Sequence, residues 1–163
     1  MTVTNVSKDP AAATMAVTAE FDASTEAVWQ LWADPRLLER WWGPPTYPAT
    51  MVDHDLVAGG RTSYYMTSPE GQRHHGLWSV LEVDPPKRIL LEDRFADADG
   101  AADPALPSTV MEVTLDGRAD GGTTMTIRST FPSTDAMEQM LQMGMEEGLS
   151  AAMGQMDALL APA

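Results

Sequence analysis

The chain contains no cysteine and two lysines, Lys8 and Lys87. The first absence excludes disulfides, thiol nucleophiles, iron–sulfur clusters and cysteine-ligated zinc. The scarcity of lysine, with no glycine-rich phosphate cradle and no nucleophile elbow, removes support for Schiff-base, kinase and hydrolase chemistry. Positive charge is short overall: 10 Lys and Arg stand against 24 Asp and Glu, a net charge of −14. Such a chain repels phosphate backbones and anionic lipid headgroups, so neither a nucleic acid nor a membrane is an expected partner. No 18-residue apolar run occurs, and residues 1–13 lack the basic start and apolar stretch of a secretion signal. The expectation is a cytoplasmic protein.

Three histidines without an HExxH helix make no zinc signature. Asp97-Ala98-Asp99-Gly100 has the look of a calcium loop, but the twelfth position, where a bidentate glutamate belongs, is Ser108. A solvated acidic loop is the expectation, with no metal and no cofactor. What is present is ordinary for a folded domain: 163 residues, 44% apolar and 21% charged. That length and composition predict one domain with a real core.

Residues 1–13 carry no periodicity and are expected to be a flexible N-terminus, with a single domain over 14–161. Met15, Val17, Ala19 and Phe21 alternate with smaller or polar residues, the period of a half-buried strand. Ser24 or Thr25 caps a helix bearing Val28, Leu31 and Trp32, and Asp34-Pro35 starts a second short one. About six further strands follow, separated by Gly59-Gly60, Pro69 to Gly71, Asp84-Pro85-Pro86, an acidic loop over 96–108, and Gly117 to Gly122. The loop is longer than compact domains usually carry, as lids and recognition elements often are. Residues 133–160 lack proline and repeat Met137, Leu141, Met145, Ala152 and Met156 near the helical period, predicting one long amphipathic helix capped at Ser133. The fold class is therefore α+β: an antiparallel meander of about seven strands whose apolar concave face is gripped by the C-terminal helix, with two short helices after the first strand.

Phe21 to Trp29, Trp32-Ala33-Asp34-Pro35, Trp41-Trp42-Gly43-Pro44, Gly59-Gly60-Arg61, Glu82 to Arg88 and Gly144 to Gly148 together resemble the START-like (SRPBCC) superfamily, and within it the heat-shock chaperone ATPase activator homology family. The likeness covers residues 15–160. It implies a helix-grip fold with a cavity between sheet and terminal helix. It also implies a range of roles, from lipid carriers to cyclases and chaperone activators, so the site must decide among them.

Gly144 and Gly148 remove bulk from the covering helix, which either opens room for a ligand or permits close helix-to-sheet packing. The expected wall of a cavity for a small apolar molecule comprises Trp41, Trp42, Tyr64, Met66, His75, Trp78, Met111, Met125, Met137, Leu141, Gly144, Met145 and Gly148. The plain alternative for the methionines and tryptophans is core filling. Met140 and Met143 fall off the Met137 to Met145 stripe, where they would support a dimer contact. His75, Asp93 and Tyr64 are the candidate acid–base group: regular hairpins would set Tyr64 opposite His74 or His75, and Asp93 near Ser79 and diagonal to His75. Slippage by one residue would dissolve that group. The competing functions are therefore hydrophobic ligand binding, a cyclase or isomerase built on these three residues, and the chaperone contact that the resemblance implies.

Overall fold

The computed structural model describes residues 3–160; the two outermost residues of the expected loose terminus and the expected domain end at residue 161 lie outside them. Eight strands form one antiparallel sheet in the order β1-β2-β8-β7-β6-β5-β4-β3. They are β1 (Val3–Asp9), β2 (Thr14–Phe21), β3 (Ala49–His54), β4 (Arg61–Thr67), β5 (Arg73–Asp84), β6 (Arg88–Ala96), β7 (Thr109–Gly117) and β8 (Thr123–Thr130). The strand β1 corrects the reading of residues 1–13 as loose. Its side chains are exposed except for the half-buried Val3 and Val6, so no apolar alternation marks it. Backbone pairing with β2 from Asn5↔Thr18 to Asp9↔Thr14 holds it as an edge.

From β3 to β8 each strand pairs with its successor, and β2 joins the far end beside β8. The chain must cross the sheet between β2 and β3, and it does so through α1 (Thr25–Ala33) and α2 (Pro35–Leu38). Ser24 accepts a bond from the N–H of Ala27, and Asp34 accepts one from the N–H of Arg36 with Pro35 in the first turn. These caps satisfy otherwise orphaned donors where the path bends. Alternation along β7 and β8 buries Met111, Val113 and Leu115 opposite Ser129, Ile127 and Met125 on the concave face.

The C-terminal segment covers that face, as a helix-grip fold requires. It is not one rod but three pieces, α3 (Thr134–Gln142), α4 (Met145–Met153) and α5 (Met156–Leu160). Gly144 causes the first break: its φ of +87° is left-handed, and its N–H turns back to the carbonyl of Leu141. The start of α3 is capped by Ser133, which accepts from the N–H of Ala136. Thr134 donates to the Pro10 carbonyl, and Lys8 pairs with Glu146, fastening this cover to the β1–β2 end of the sheet. Among the described residues no helix is long and apolar enough to cross a membrane.

Candidate functional site

A cavity of about 760 Å³ lies between the sheet and the α3–α4 cover. Its floor includes Tyr64, Met66, Gly76, Asp93, Phe95 and Met111, all on the concave face. The cover contributes Met140, Met143, Gly144, Met145, Gly148 and Leu149. Gly148 is telling: a Cβ built there would meet no atom within 4 Å. The missing side chain therefore leaves space rather than permitting a tight helix contact. Leu106 and Pro107 from the 96–108 loop complete one wall. That loop is fastened, since Asp97 accepts from the N–H groups of Asp99 and Ala101, and Asp103 N–H bonds the Phe95 carbonyl.

Tyr64 and Asp93 meet at the floor, the Tyr64 hydroxyl donating to Asp93 Oδ1 at 3.0 Å. Two local features bring them together. Gln72 stays within the β4–β5 turn, so the first ladder pair is Thr67↔Arg73 and the partner of Tyr64 becomes Gly76. The ring of Tyr64 then lies across Gly76, where a Cβ would fall 2.2 Å from Tyr64 Cζ. The second feature is a bulge between Val80 and Glu82, which advances the β5–β6 register by one and sets Asp93 opposite Trp78 instead of Ser79. His75 is correspondingly displaced. It pairs with Tyr65 on the opposite face of the sheet and packs against that ring at 5.6 Å, and it still lines the cavity. The expected three-residue group is thus a Tyr64–Asp93 pair without His75.

Of the other expected wall residues, Trp42 lines the cavity, whereas Trp41, Trp78, Met125, Met137 and Leu141 do not. Trp41 donates its indole N–H to the Leu31 carbonyl at 2.8 Å and is packed edge-on to Trp32. Trp78 sits beneath Trp42, ring centroids 4.8 Å apart. Met125 pairs with Ala19 and Leu115 toward the end of the sheet that α1 covers. Met137 is enclosed in the core, and Leu141 packs against its edge. His54 is a clamp: its Nε2–H donates to the Trp32 carbonyl and its Nδ1 accepts from the Thr62 hydroxyl, both at 2.7 Å. Burial holds its pKa below the usual histidine value, so the neutral ring that this arrangement needs is favoured.

Asp93 lies deep in the fold, yet part of its surface remains accessible to the cavity. Burial raises its pKa to about 7, against the opposing effect of the Tyr64 hydroxyl and the Arg94 N–H. Tyr64 is driven well above the ordinary tyrosine range, by burial first and by the charge of Asp93 second. The phenol is therefore neutral, and the carboxyl changes charge near neutral pH. Sequence reasoning missed Gly76, Phe95, Leu106 and Leu149. A glycine in the interior of a strand was the available signal for the first, and Ile89, Leu91, Asp93 and Phe95 in alternation was the signal for the second.

Comparison with known proteins agrees with this architecture. A solution structure of a protein from Arthrobacter aurescens is 45% identical, covers 99% of this chain and 94% of that one, and superposes with a TM-score of 0.94. A crystal structure of a protein from Mycobacterium smegmatis is 44% identical over 99% of this chain and 98% of that one, with a TM-score of 0.91. A Staphylococcus epidermidis protein at 27% identity covers 96% of this chain and 93% of that one, with a TM-score of 0.83. No curated protein matches significantly. Residues 22–161 match the family described as Activator of Hsp90 ATPase homolog 1-like protein. The chain belongs to that family, within the START-like superfamily.

Proposed function

We propose that this protein binds a small hydrophobic molecule in the space between the sheet and α3–α4. The observation that carries the reading is the open volume under Gly148, walled by Met111, Met140, Met145, Leu149 and Phe95. Its size falls within the ~300–1,000 Å³ of small-molecule sites, and an apolar wall with a few convergent polar groups is their usual composition. Native mass spectrometry of the protein after exposure to a lipid-soluble extract tests it. The wild type should carry a discrete added mass that Gly148→Leu loses while remaining folded. Equal retention by both proteins contradicts the proposal.

A second reading, acid–base isomerisation or cyclisation, draws support from the 3.0 Å Tyr64–Asp93 contact on the cavity floor. It requires that a retained molecule be altered on incubation with the wild type and left intact by Asp93→Asn. Identical chemistry with both proteins removes it.

A further inference from the structure

The cavity floor has a hydrogen-bonding pattern that selects among hydrophobic ligands. Tyr64 uses its only proton on Asp93 Oδ1. The remaining lone pairs of that carboxyl can take a donor from the cavity side, where part of Asp93 is accessible. The indole N–H groups of Trp42 and Trp78 lie beside the Tyr64–Asp93 pair, but both nitrogens are buried away from the cavity and present no donor to it. The site thus offers one acceptor, the Asp93 carboxyl, at the end of an apolar space.

We propose that the ligand is an uncharged amphiphile, an apolar chain or ring system ending in a hydroxyl that donates to Asp93. This rests on the cavity being a binding site. A hydroxyl has a proton to give the carboxyl, which an ether or an ester does not. A carboxylate head fits worse. It cannot donate, and it meets Asp93 on the floor and Glu147 on the α4 side of the same cavity. Among the described lining residues the arginine is Arg94, and its guanidinium is turned to Glu92 at 2.9 Å. An ammonium head could also donate, but a full positive charge costs more than a hydroxyl to bring from water into an apolar space.

The test compares decan-1-ol, methyl decyl ether, decanoate and decylamine, titrated at pH 8 into the full chain with tryptophan fluorescence and calorimetry as readouts. The alcohol should bind about tenfold more tightly than the ether or the carboxylate, the scale of one hydrogen bond to a charged group. In Asp93→Leu the advantage of the alcohol over the ether should disappear while ether binding remains. Should that variant fail to fold, Asp93→Asn serves: alcohol binding should persist and discrimination against decanoate should fall at least about threefold, as one negative charge has gone. Equal binding of alcohol and ether, tightest binding of decanoate or decylamine, an alcohol-over-ether preference unaltered in Asp93→Leu, or an alcohol-over-decanoate preference unaltered in Asp93→Asn overturns the inference and leaves the cavity reading in place. Binding of none of the four by folded wild type overturns the cavity reading itself.

Discussion

Under α1 and α5 the concave face is filled. Trp32, Trp41 and Trp78 are enclosed there, Trp41 edge-on to Trp32 at 4.8 Å, and Gln155 ties the cover to the carbonyls of Trp41 and Gly43. Under α3 and α4 the same face borders a cavity of about 760 Å³. Both halves are apolar and both lie on one continuous sheet, so hydrophobicity does not separate them. What separates them is volume delivered from above. One half receives indole rings from the β2–β3 crossover, and the other receives a helix with no side chain at Gly148 and a left-handed break at Gly144. The filled half carries stability, and the open half gives up part of that packing for space.

Truncation should strike the two halves unequally. Trp32→Ala, in the filled half, should cost about 3–5 kcal/mol in denaturant unfolding, and Met145→Ala, at the cavity wall, should cost under about 2. Equal losses would erase the distinction. Asp93 gives the next largest effect. Its folded pKa of about 7 lies above the ordinary aspartate value, so between pH 4 and 7 the unfolded chain ionises first and stability falls as pH rises. Asp93→Asn should therefore be the more stable protein at pH 8, by no more than about 4 kcal/mol because cavity solvent screens the charge. The gap should close as the pH is lowered toward 4, which melting curves across that range would reveal; a constant gap contradicts the assignment.

Gly76→Ala sharpens the account of the floor. The added carbon collides with the Tyr64 ring, so the variant should lose about 1–3 kcal/mol and the ring should leave Asp93. A crystal structure of the variant with the Tyr64–Asp93 bond intact would refute this. Smallest is Gly148→Ala. Its Cβ enters open space within a helix, so the thermal midpoint should rise, by the equivalent of about 1 kcal/mol or less. A lowered midpoint would mean that the space under α4 is closed.

The strands, the two short helices and the caps at Ser24, Asp34 and Ser133 were legible because each depends on local pattern. Edge strand β1 was not, since its pairing is through backbone and only Val3 and Val6 turn inward. The helix break at Gly144 and the space at Gly148 look alike in sequence, as glycines four apart, yet one is a backbone device and the other a missing side chain. Tyr64 and Asp93 could be singled out as polar groups among apolar neighbours, but their contact could not be reached from regular hairpins. It depends on one turn residue, Gln72, and one bulge after Val80, each moving the register by a single place. Those same shifts exclude His75. Alternation places Trp78 and Met125 on the concave face, whereas which part of that face is already filled depends on distant tryptophans.

The most direct test is a fluorescence titration of the neutral apolar dye N-phenyl-1-naphthylamine into wild type and Gly148→Leu, with thermal unfolding of both. Saturable enhancement in the wild type, its loss in the variant and an undiminished melting temperature are the predicted results. Dye binding of equal strength in the two folded proteins would place the hydrophobic site somewhere other than beneath α4.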